Sequence, residues 1–176
     1  MDVMYTIVFG IFGLVLGSFY NVVGLRVPKG ESIVSPPSHC TSCGKRLTAL
    51  ELIPIFSYVI QGGKCRGCGV KVSPIYSFTE LATALLFALC YMKFGFTAEL
   101  AVALLFVSLL VIINVSDIAY MLIPNKILLF FLPFLIVARL FSPLTSWWDS
   151  LLGAVIGFGL LLLIAVISKG GMGGGD

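Results

Sequence analysis
The chain has 176 residues, of which 59% are hydrophobic and 11% charged, and its formal net charge is +3. Soluble domains carry about 25% charged residues, so a chain this apolar has no aqueous surface to offer and takes lipid as its solvent. A soluble enzyme is excluded on that ground, and no nucleic-acid partner is expected.

The N-terminus lacks the basic start of a secretory signal, and its apolar run is longer than a signal core, so it reads as a retained first span. A transmembrane helix needs roughly 20 mainly apolar residues. Residues 3–25 carry no charge and stop at Arg26. Residues 75–92 are apolar apart from Glu80, residues 100–116 run into Asp117, and residues 127–141 carry Arg139 near their end, where it can snorkel outward. Residues 151–167 stop at Ser168-Lys169. The predicted fold is an all-α polytopic membrane protein of about five transmembrane helices. It divides into a first helix (1–25), a four-cysteine loop (26–74) and a membrane core of four helices (75–176). Gly10, Gly13 and Gly17 share a face of the first span and predict close helix packing, whereas Asn21 fits either a substrate groove or an interhelical hydrogen bond.

Orientation follows from the basic residues. The loop 26–74 holds Arg26, Lys29, Lys45, Arg46, Lys64, Arg66 and Lys71, and the positive-inside rule places it in the cytoplasm. The N-terminus is then outside, and Trp147-Trp148 fall in an outer interfacial belt. Asp117 and Asp176 both fall at the cytoplasmic face. In this assignment the inside segments carry nine of the eleven Lys and Arg residues.

Within the loop, Cys40, Cys43, Cys65 and Cys68 form two C-x-x-C pairs with the spacing of a zinc ribbon. Four thiolates bind Zn²⁺ tetrahedrally in a closed structural site, and metal supplies folding energy to a loop with little core. Gly44 and Gly69 follow the pairs, where a tight knuckle turn favours glycine. Reversible disulfides are the alternative, disfavoured by a cytoplasmic location. His39 reads as a bystander beside four thiols, and Cys90 as a buried inert thiol.

A carboxylate at membrane depth is costly and points to function, although either Asp alone reads equally as an interfacial residue in water. Asp117 opens a stretch that reaches Pro124 and Asn125, with Pro124 placed to start the next helix. Asp176 closes a glycine run that could permit close backbone approach or serve as a linker. Two carboxylates sharing a site cannot both ionise easily. One can then activate water as a base while the other polarises a peptide carbonyl as an acid.

These residues resemble a known family. Asp117 with Ile123-Pro124-Asn125, and Gly173-x-Gly175-Asp176, are similar to the two aspartate motifs of the type IV prepilin peptidases, membrane aspartyl proteases of the G-x-G-D type. The opening Gly17-Ser18-Phe19-Tyr20-Asn21-Val22-Val23 with Arg26-Val27-Pro28, the paired cysteines, Leu52-Ile53-Pro54-Ile55-Phe56-Ser57-Tyr58, Tyr76 and Glu80 extend the resemblance over nearly the whole chain. It implies an endopeptidase of the bacterial inner membrane that removes the basic leader from type IV prepilins or pseudopilins, with Asp117 and Asp176 as the catalytic pair. It also implies N-methylation of the new N-terminus with S-adenosylmethionine, for which Gly63 and Lys64 resemble the associated segment. The family generally continues through further spans past its second Asp, so the resemblance implies a truncated form, with an inactive fragment as one reading. A non-enzymatic membrane scaffold with a zinc-binding docking loop and a thiol-redox enzyme are the competing functions. Oligomeric state is left open.

Overall fold
The computed structural model of the chain describes residues 3–141 and 147–167. Among these residues all regular structure is helical: α1 Val3–Arg26, α2 Phe56–Ile60, α3 Pro74–Phe94, α4 Ala98–Tyr120, α5 Asn125–Phe141 and α6 Trp147–Ile167, with a 3₁₀ turn over Ala49–Leu52. By length and composition α1, α3 and α4 can each cross a membrane. The 17 residues of α5 rise about 26 Å, the lower limit for a hydrocarbon core of about 30 Å. Proline 133 inside α5 also removes one of its backbone hydrogen bonds. The described side chains of α6 are exposed.

Small residues let α1 lie directly on its neighbours. A Cβ at Gly13 would stand 2.8 Å from the Ala84 Cα, one at Gly17 2.9 Å from the Glu80 Cα, and one at Gly24 2.7 Å from Val115 Cγ1. The predicted glycine face is therefore the contact with α3, and Gly24 extends it to α4. Most polar side chains within this packing find a partner, as a lipid setting favours, while Asn21 Oδ1 is buried without a hydrogen bond among the described residues. The Tyr20 hydroxyl donates to Ser108 Oγ at 2.6 Å, and Ser108 donates to the Leu104 carbonyl at 2.6 Å. Thr83 Oγ1 donates to the Thr79 carbonyl at 2.7 Å. Asn21 takes the hydrogen-bond option: its Nδ2 donates to the Tyr76 carbonyl at 3.1 Å.

Caps set the helix ends. Ser73 accepts the Ile75 N–H at 3.4 Å and Pro74 occupies the first turn of α3. Gly95, at φ 58, closes α3 with its N–H on the Tyr91 carbonyl. Pro124 lies just before α5 rather than within it, and its carbonyl accepts the Ile127 N–H at 3.0 Å. Two contacts fix which ends lie together. Tyr120 OH donates to the Leu25 carbonyl at 3.0 Å, so α1 and α4 finish side by side. At the opposite end Arg139 meets Glu99 at 3.3 Å, which pairs the last turn of α5 with the first turn of α4.

Candidate functional site
The four-cysteine loop is two copies of one knuckle. In the first, the Cys40 N–H donates to the Lys45 carbonyl and the Gly44 N–H returns to Cys40, both at 2.9 Å. In the second, the Cys65 N–H donates to Val70 and the Gly69 N–H to Cys65, also at 2.9 Å. Gly44 and Gly69 hold φ 70 and 72, the left-handed turn for which their spacing selects glycine. One isolated β-bridge frames each knuckle, His39 with Arg46 and Lys64 with Lys71.

Together the knuckles bring the four sulfurs within 4.8 Å of one another. Cys40 Sγ lies 3.8 Å from Cys68 Sγ, and Cys43 Sγ 3.9 Å from Cys65 Sγ. A tetrahedron with metal–sulfur bonds of about 2.3 Å has edges of about 3.8 Å, whereas a disulfide needs about 2.05 Å. All four cysteines are free thiols. This arrangement fits a metal ion. Backbone N–H groups of Cys43 and Ser42 stabilise the Cys40 thiolate and lower its pKa to about 6. The Gly67 N–H donates to Cys65 Sγ at 3.3 Å. His39 stays outside the sulfur cluster, its Nδ1 hydrogen-bonded to the Pro37 carbonyl at 3.0 Å.

Behind the first knuckle lies a group that the cysteine spacing did not reveal. The Glu51 carboxylate accepts the Thr48 N–H at 2.9 Å and the Lys45 ammonium at 3.0 Å. The signal was present as Thr48-x-x-Glu51, a capping box. The Thr48 N–H first, then Lys45, hold the Glu51 pKa at about 2. Because the folded pKa is depressed, the contribution is complete above the unfolded carboxylate range near ~4.3 and is lost as pH falls below it. We expect Glu51→Gln to lower loop amide protection at neutral pH, where the wild-type carboxylate is ionised. Hydrogen exchange checks this, and equal protection in the two proteins would contradict it.

At the same end of the bundle α4 runs a turn beyond its predicted stop and carries Asp117 in its last turn. Met121 then adopts the left-handed conformation (φ 50), with its N–H on the Asp117 carbonyl at 2.7 Å. Ser116 Oγ donates to the Leu122 carbonyl at 2.6 Å and fixes the turn that follows. The Asp117 side chain is exposed. Lys29 Nζ sits 5.2 Å from the centre of the Tyr120 ring, and the Tyr120 hydroxyl beside it raises the Lys29 pKa above its usual range. The second predicted acid, Asp176, lies outside the described residues, as do Gly173 and Gly175. Gly63 and Lys64 line an open surface hollow together with Tyr58, Lys71 and Ser73. Gly63 is at φ 66, and a Cβ there would stand 2.9 Å from the Tyr58 ring.

Residues 11–94 match the Bacterial Peptidase A24 N-terminal domain, and residues 104–176 match the Type IV leader peptidase family. A prepilin leader peptidase/N-methyltransferase of Bacillus subtilis (strain 168) is 54% identical over 173 residues, covering 98% of this chain and 69% of the relative. A protein of the same name from Myxococcus xanthus (strain DK1622) is 40% identical over 88% of this chain and 46% of its own length. A third, from Pseudomonas aeruginosa, is 34% identical over 94% of this chain and 67% of its own. No solved structure matches the chain.

Proposed function
The chain belongs to the type IV leader peptidase family, and from that premise we propose that it is a membrane aspartyl endopeptidase that removes the leader of type IV prepilins or pseudopilins. The observation that carries this reading is Asp117, an exposed carboxylate at the end of α4, on the same face of the bundle as the basic four-cysteine loop. In the proposed reaction Asp117 and Asp176 share one proton. The ionised member takes a proton from water, and the protonated member hydrogen-bonds the scissile carbonyl and later protonates the leaving amine. The excess of Lys and Arg in the loop supports a cytoplasmic position for that face, with the protein in the bacterial inner membrane.

The ion that fits Cys40, Cys43, Cys65 and Cys68 best is zinc, in a closed structural role. The Bacillus subtilis and Myxococcus xanthus relatives also carry N-methyltransferase in their names. That name implies the methyl donor S-adenosylmethionine, and the segment at Gly63 and Lys64 is where we place it, on the resemblance to the family's methyl-transfer segment. That donor supplies an activated methyl group when bound. The chain's part is to hold it near the cytoplasmic face, where the new amino terminus emerges.

The test is a cleavage assay. The full chain, reconstituted in vesicles, is given a pilin precursor with a basic leader, and the products are read by mass spectrometry. Leader removal that resists serine- and cysteine-directed reagents is expected. An uncut precursor, or cleavage abolished by a serine-directed reagent, would contradict the proposal.

A further inference from the structure
The segment that joins the two knuckles is held against the membrane-spanning core. Glu80 is only 8% exposed, and its Oε2 accepts the Ile55 N–H at 2.8 Å. Glu80 lies six residues into α3, which begins at Pro74. At 1.5 Å per residue this is a depth of about 9 Å along the helix. Glu80 thus sits nearly two turns inside α3, and the Ile55 backbone packs against the helix there. Ile55 itself holds φ 61, an outlier conformation for a β-branched residue that persists only under constraint.

This turn delivers the chain into α2, Phe56–Ile60. Phe56, Val59 and Ile60 are spaced to share one face, and they are 62%, 69% and 72% exposed. A single helical turn has no stability of its own in water, so three large apolar side chains left open on it require an apolar surrounding. The levels of α3 next to Glu80 are apolar and open too, at Phe78 and Leu81. The loop as a whole carries seven basic residues against the two acids Glu31 and Glu51, a charge that anionic headgroups complement.

We propose that α2 is an interfacial wedge whose Phe56, Val59 and Ile60 insert among the acyl chains of an anionic leaflet, continuous with the lipid-facing surface of α3. Glu80 is the positioning residue that sets its depth through the Ile55 amide. The wedge holds the cysteine knuckles against the membrane at the end of the bundle that carries Asp117. None of this depends on the peptidase reading.

The test places a single tryptophan on the wedge, Phe56→Trp in a Trp147→Phe/Trp148→Phe background, in the full chain reconstituted in vesicles containing phosphatidylglycerol. Blue-shifted emission is expected, quenched by lipids brominated in their acyl chains and shielded from aqueous acrylamide. Ile60→Trp provides a second position should Phe56→Trp disturb the fold. Adding Glu80→Leu should lose the shielding, whereas Glu80→Gln, whose amide oxygen still accepts the Ile55 N–H, should keep it. Free acrylamide access would put the face in water and overturn the proposal. Protection from both quenchers would overturn it as well, since the face would then be covered by a second copy or another protein. Shielding unchanged by Glu80→Leu would remove Glu80 from the account.

Discussion

Asp117→Asn is expected to lower precursor cleavage by about 10²–10⁴-fold, the range that a positioned acid or base contributes. Asparagine keeps the size and the hydrogen-bonding oxygen of the carboxylate but can neither take nor give a proton at catalytic pH. The side chain is exposed, and among the described residues no hydrogen bond or ion pair holds its carboxylate. What fixes the end of α4 is backbone and neighbouring side chains: Met121 N–H on the Asp117 carbonyl, Ser116 on Leu122, and Tyr120 on Leu25. The substitution leaves all three in place, so a change in stability beyond about 0.5 kcal/mol is not expected. The rate of leader release, compared with thermal unfolding in detergent, separates the two effects. A variant that unfolds, or one that cuts at the wild-type rate, would contradict the assignment.

Removing the metal should have the larger structural effect, confined to the loop. Cys65 is the buried member of the cluster, with Cys43 Sγ at 3.9 Å and the Gly67 N–H on its own sulfur. A structural zinc site of this type is worth about 10–16 kcal/mol of apparent binding energy, as much as the whole stability of a small domain at about 5–15 kcal/mol. Two knuckles held by a few backbone hydrogen bonds and one capping box cannot replace it. Cys65→Ser, or extraction of the wild type with a chelator, should therefore strip the metal and open the loop to trypsin at Arg46, Arg66 and Lys71. The bundle draws its contacts from Gly13, Gly17 and Gly24 and from α3 and α4, so helical circular dichroism should persist. Elemental analysis and limited proteolysis read both parts. A loop that stays protease-resistant without metal would show that it folds by other means.

Much of this was legible in the sequence because the forces involved are local or compositional. Long apolar runs locate α1, α3 and α4, and glycines at helical spacing foretell the surface where backbones meet. Cysteine spacing with Gly44 and Gly69 encodes the knuckles, since only a left-handed residue closes that turn. Contacts between distant segments were less legible. Asp117 marks the end of an apolar run but not the end of its helix, which continues to Tyr120 because that residue reaches Leu25 on α1. Glu80 registers in the sequence only as a charge within a span. Its bond to Ile55 joins residues 25 positions apart and depends on a backbone turn that no propensity predicts. Glu51 is the opposite case, a buried acid announced by Thr48 three residues earlier.

The central claim is that Asp117 and Asp176 act as one catalytic unit, and a double-mutant cycle measures this directly. Cleavage of one precursor is followed with the wild type, Asp117→Asn, Asp176→Asn and the double variant, all reconstituted at equal density. Groups that work as a unit are strongly non-additive. Each single substitution should slow leader release by about 10²–10⁴-fold, and the double variant should be no slower than the slower single variant. Processing at the wild-type rate by either single variant, or losses that multiply in the double, would contradict a shared two-carboxylate site.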